Sequence, residues 1–142
     1  MRKAVSLIGV LLALTLSSWA SAEYSVVFGA PISSLVRVSF PDSSTRFQPP
    51  SDVVDALAHA KDAAMIYVSG RTSTGNPSAR DEALAFARAA AARVYLIERG
   101  VSPLKIMVNY VSAADYIEDN STVAGRLANQ RVDIELIFVP RY

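Results

Sequence analysis

Arg88, Asp81 and the hydroxyl run Thr72-Ser73-Thr74 are the groups of this 142-residue chain whose types and spacing suit a polar ligand. Asp81 and Arg88 lie seven residues apart on one predicted helix, hence on one face and ~10 Å apart along its axis. At that spacing a carboxylate and a guanidinium do not neutralise each other directly, and a zwitterion between them can touch both. Each residue also has a plainer reading. Arg88, on a mostly apolar helix, can cap strand and loop carbonyls or pair with a nearby acid. Ser73 can be an ordinary loop hydroxyl, and Asp81 can belong to the helix N-terminal cap, where the dipole favours an anion.

Catalysis is not expected. The sequence has one histidine, His59, and no cysteine, so the usual nucleophile–base pairs cannot be assembled, and Ser73 has no evident base. His59 falls off the apolar stripe of its helix, beside Asp55 and Asp62, and without a second His or any Cys no metal or other cofactor is expected.

Positioning these groups takes a strand, a loop and a helix. Met65-Ile66-Tyr67-Val68-Ser69 reads as a strand running into Gly70, with Ile66 and Val68 on one face. Asn76-Pro77-Ser78 punctuates the loop, and Ser78 with Asp81 has the S-x-x-D form of a capping box. A helix is predicted over 79–99, with Gly100 at its left-handed end and Pro103 barring continuation. Leu84, Ala91 or Ala92, Tyr95 and Leu96 are expected to face the sheet, and the many alanines suit a close approach.

Upstream, 35–40 alternates as a half-buried strand ended by Pro41-Asp42-Ser43-Ser44. Ser51 is expected to cap a short helix with the stripe Val53, Leu57, Ala60 and Ala64. Downstream, 106–111 is a third strand and 113–128 a polar connection with a helical turn near 122–127. The strand 131–138 is expected to point Val132, Ile134, Leu136 and Phe138 inward and Arg131, Asp133 and Glu135 outward. The order β-α-β-α-β-(loop)-β predicts an α+β two-layer sandwich, a mixed sheet with two helices on one face.

Residues 1–22 read as a signal peptide: Arg2-Lys3, a short apolar run, then Ala20-Ser21-Ala22 in small-x-small form. A retained anchor is the alternative, although the run is short for a membrane span. The absence of cysteine excludes a lipobox and disulfides. Residues 23–33, with the β-prone stretch 24–28, are expected to be a lead-in or edge strand, and 34–142 the domain. Without Arg2 and Lys3 the 14 basic residues become 12 against 13 acids, a net charge near −1. That balance excludes the basic footprint of a nucleic-acid binder and an electrostatic membrane-surface role. The expected address is the periplasm of a Gram-negative envelope, with no transmembrane segment after signal cleavage.

Three stretches taken together resemble the OmpA-like peptidoglycan-binding family. They are Gly70-Arg71-Thr72-Ser73-Thr74-Gly75, then Asp81 to Ala89 with Tyr95-Leu96, then Asn129-Gln130-Arg131-Val132-Asp133-Ile134. The family pattern is G-H-T-D-x-x-G, N-x-x-L-S-x-x-R-A with a later Y-L, and N-R-R-V-E-I. The resemblance implies an OmpA-like fold that grips the diaminopimelate of the peptidoglycan stem peptide, a carboxylate taking its ammonium and a guanidinium its carboxylate. It implies ligand-binding roles for Arg88, Ser73, Thr72, Thr74 and Asp81. Asn129, Gln130 and Arg131 form the closing motif, Arg131 holding the preceding loop. The guanidinium is retained as Arg88. The family acid is Ser73 here, the helix-start Asn is Asp81, and the first closing Arg is Gln130.

Two functions follow. One is a non-catalytic periplasmic module binding peptidoglycan, weakly because the acid is Ser73. The other is a scaffold in an outer-membrane-associated secretion, conjugation or pilus machine that has lost wall binding. Either needs an envelope protein partner, with 23–33 and 139–142, including Tyr24 and Tyr142, as candidate surfaces.

Overall fold

The chain runs β1 (Ile32–Ser39), α1 (Ser51–Leu57), β2 (Met65–Arg71), α2 (Ala79–Glu98), β3 (Ile106–Val111), α3 (Val123–Asn129) and β4 (Arg131–Phe138). This computed structural model describes residues 31–111 and 113–140. The expected signal peptide, the stretch 24–28 and Tyr142 lie outside the described residues. β1 starts two residues ahead of the boundary expected at 34.

β4 inserts between β1 and β2, giving the sheet order β1-β4-β2-β3. It is antiparallel to both neighbours, whereas β2 and β3, joined through α2, are parallel. Register stacks the apolar residues into one layer: Val38 opposite Val132, Ile134 opposite Val68, Leu136 opposite Ile66, and Ile66 opposite Ile106. Onto that face pack Val53 and Leu57 of α1 and Ala89, Ala92 and Leu96 of α2. The result is the expected α+β sandwich with a mixed sheet. A third helix, α3, forms within the connection read as a loop with one helical turn.

Local departures from expectation have identifiable causes. Pro50, extended at φ −67° and ψ 165°, is the N-cap of α1, and Ser51 is already helical. α1 ends at Leu57 and a 3-10 turn follows over Ala60–Asp62. That tighter winding buries Ala63 and leaves Ala64 exposed, breaking the stripe expected through Ala64. On α2 the buried line is Ala85, Arg88, Ala89, Ala92 and Leu96. Leu84 and Tyr95 flank it half-buried, Tyr95 against Phe47 with ring centroids 4.9 Å apart. Arg131, on the outer side of β4, is nevertheless buried: Nε donates to Asp133 Oδ1 at 2.9 Å, and Nη1 to the carbonyl of Asp115 at 2.9 Å. The loop before α3 folds over it, so an outward position is not an exposed one.

Candidate functional site

Where β2 gives way to α2 the surface dips into a hollow of about 330 Å³ lined by Thr72, Ser73, Thr74, Asp81, Leu84 and Arg88. Asp42, Ser43 and Gln130 complete the wall. The start of α2 is fixed by the expected capping box: Ser78 Oγ accepts from the Asp81 N–H, and Asp81 Oδ2 accepts from the Ser78 N–H at 3.0 Å. Ser78 Oγ–H also donates to Asp81 Oδ2 at 2.7 Å, and Thr74 Oγ1 donates to Asp81 Oδ1 at 3.0 Å. Both oxygens of Asp81 are therefore engaged. These bonds hold the Asp81 carboxyl below the usual carboxylate range, the Ser78 side-chain bond first among them.

Arg88 forms the floor, closed to solvent at 0% exposure. Its Nε donates to Ser44 O at 2.9 Å, Nη1 to Arg71 O at 3.0 Å, and Nη2 more weakly to Pro41 O at 3.4 Å. Its guanidinium also stacks on Phe40, 5.2 Å from the ring centroid. Among the described residues no carboxylate oxygen forms an ion pair with it. Burial pulls its pKa down to about 10, partly opposed by the negative charge of Asp42, so it stays cationic at neutral pH. Of its five N–H groups three serve backbone carbonyls, which among the described residues leaves one each on Nη1 and Nη2.

Gln130 and Ser73, two positions where the chain departs from the OmpA-like pattern, are in direct contact. Gln130 Nε2 donates to Ser73 Oγ at 3.1 Å and to Asp42 Oδ1 at 2.9 Å. An acceptor-only carboxylate demands the amide nitrogen on that side, which fixes the amide orientation. Ser73 thus accepts through its oxygen and keeps its O–H to donate. Thr72, buried at the end of β2, lines the same hollow.

The closing motif secures this wall from behind. Buried Asn129 accepts from the Ile117 and Glu118 N–H groups at 2.8 and 3.1 Å, and donates to Glu118 O and Asn120 Oδ1. The loop so held points Asn120 Nδ2 and Tyr116 Oη at the carbonyl of Ser73, at 2.9 and 3.3 Å. Asp115 ties the same loop to Arg71 and, at 3.7 Å, to Arg131. Asn129 and Arg131 thus shape the loop, whereas Gln130 reaches the hollow itself. His59 is exposed and not among the lining residues, and no group of three or more potential ligating residues is found among the described residues.

Sequence reasoning missed Asp42. Its stretch Pro41-Asp42-Ser43-Ser44 reads only as a strand breaker, yet it forms a turn closed by the Ser44 N–H on Pro41 O at 3.0 Å. An acid inside a turn that follows an edge strand was the available signal.

A mixed α+β sandwich with a charged hollow at the strand-to-helix junction is an OmpA-like arrangement. A sequence model described as the OmpA family matches residues 40–130, and the chain belongs to that family. It is 34% identical over 115 residues to a Brucella suis biovar 1 (strain 1330) protein named "Type IV secretion system putative outer membrane lipoprotein". That match spans 75% of this chain and 63% of the relative, so under two thirds of the relative's length is represented. Among solved structures, the peptidoglycan-associated lipoprotein of Burkholderia pseudomallei superposes with a TM-score of 0.61 at 22% identity, over 71% of this chain and 88% of that one. The cell wall anchor of the T6SS from Pseudomonas aeruginosa gives 0.58 at 20% identity, over 76% and 82%.

Proposed function

We propose that the chain is a non-catalytic periplasmic module that binds peptidoglycan through the diaminopimelate end of the stem peptide. Arg88 carries this reading: a buried guanidinium without a carboxylate ion pair among the described residues, beneath a polar hollow. Its charge acts in a poorly solvated setting, where it draws an anion more strongly than an exposed arginine does. A ligand carboxylate entering the hollow meets that field and the Ser73 hydroxyl. Because Arg88 is closed to solvent, its contribution is a fixed positive floor. The names of the Burkholderia and Pseudomonas neighbours, peptidoglycan-associated and cell wall anchor, support an association with the wall.

A wall tether needs a second end. The uncovered face of the sheet carries Leu35, Glu135, Tyr67 and Met107 in one cross-strand row, and Leu35, Tyr67 and Met107 are 50%, 40% and 52% exposed. That row and the secretion-system name of the Brucella relative support attachment to an envelope protein.

Co-sedimentation with purified sacculi tests the proposal. The unaltered chain is expected to pellet weakly, and Ser73→Asp, which adds a carboxylate to the hollow, to pellet at about 3- to 10-fold lower protein concentration. If Ser73→Asp pellets no better than an undetectable wild type, wall binding is refuted and the scaffold reading stands.

A further inference from the structure

The hollow holds a second carboxylate, Asp42, on the turn after β1 and not on the loop after β2. Asp81 has both oxygens committed to Ser78 and Thr74. Asp42 is exposed, and only its Oδ1 is taken, by Gln130 Nε2 at 2.9 Å. Oδ2 accepts no hydrogen bond among the described residues.

The turn that presents Asp42 is built into the fold. Arg88 grips it at both ends, through Pro41 O and Ser44 O. Ser43 is held at φ 55°, a left-handed conformation that a non-glycine residue keeps only where its surroundings enforce it. On the opposite side stands Gln130, 8% exposed, whose Oε1 is buried without a partner among the described residues. The Nε2 end of Gln130 bridges Asp42 Oδ1 and Ser73 Oγ, which holds the Asp42 carboxylate with Oδ2 open to a donor from the hollow, and an ammonium brings three.

We infer that Asp42, oriented by Gln130, supplies the carboxylate that receives the ligand's ammonium in this chain. The acid has moved from the position of Ser73 to the neighbouring turn, on the other side of Gln130. This rests on the peptidoglycan reading above and specifies its ligand end: an α-amino acid with both its ammonium and its carboxylate free.

The test is calorimetric titration of the full chain with a stem tripeptide ending in meso-diaminopimelate, and with the same tripeptide acetylated on that terminal amine. Asp42→Asn is expected to weaken the free-amine peptide about 3- to 10-fold, between the scale of an exposed pair and that of a desolvated one. It is expected to leave the acetylated peptide, already weak, unchanged. Adding Ser73→Asp to Asp42→Asn is expected to recover the loss. If wild type binds the free-amine peptide and Asp42→Asn binds it equally well, Asp42 has no such role while the peptidoglycan reading stands. Equal weakening toward both peptides means Asp42 acts only through the fold, and the inference is overturned. If neither wild type nor Ser73→Asp binds either peptide, both readings fall together.

Discussion

Gly70 and Ala85 meet backbone to backbone: a Cβ on Gly70 would stand 1.9 Å from the Ala85 carbonyl oxygen. This crossing lets α2 lie directly on β2 and sets the depth at which Arg88, one turn further on, reaches the carbonyl of Arg71. Since the obstructing atom is helix backbone, nothing can swing aside. Gly70→Ala is expected to cost about 3 kcal/mol, the upper end of overpacking penalties, in urea melts. A loss under about 1 kcal/mol would mean that α2 sits further from the sheet.

β4 offers a test of register. Ile134 is fully buried between Val36 and Val68, whereas Glu135 is half-exposed on the uncovered face. Ile134→Ala is expected to cost about 2–5 kcal/mol, and Glu135→Ala within about 0.5 kcal/mol. Equal effects in denaturant melts would contradict the strand's register.

Asp81 makes stability depend on pH at the acid end. Hydrogen bonds from Ser78 and Thr74 favour its ionised form, so its pKa in the folded chain lies below the ordinary 3.8. A carboxyl lowered in this way contributes stability that is fully present above its unfolded pKa and is lost as pH falls through the folded value. Asp81→Asn is therefore expected to melt below wild type at pH 7. The gap should narrow as pH drops below about 4. A gap that stays constant down to pH 2.5 in thermal melts would show that the charge of Asp81 contributes nothing.

Much of this fold was legible because its signals are local. The capping box at Ser78 and Asp81, the left-handed Gly100 at φ 88° and the alternation of Val132, Ile134 and Leu136 each occupy a few consecutive residues. The placement of β4 between β1 and β2 was not, since strand order depends on contacts far apart in the chain. The hollow divides along the same line. Asp81 and Arg88 share one helix face and could be grouped from spacing, and Ser73, on the loop before that helix, joined them through the resemblance to the family pattern. Asp42 and Gln130 are 88 positions apart and meet only in the folded chain. Arg131 lies on the face that alternation assigns to it and holds the preceding loop as expected, but only the loop carrying Asp115 determines that this part of the face is covered.

The most direct measurement is a ¹⁵N-resolved NMR titration of the full chain with the diaminopimelate-ending stem tripeptide. Peptidoglycan binding at the hollow predicts saturable amide shifts at Asp42 to Ser44, Thr72 to Thr74 and Gln130, with Leu35, Tyr67 and Met107 on the uncovered sheet face unmoved. No saturable shift, or shifts confined to that sheet face, would contradict it.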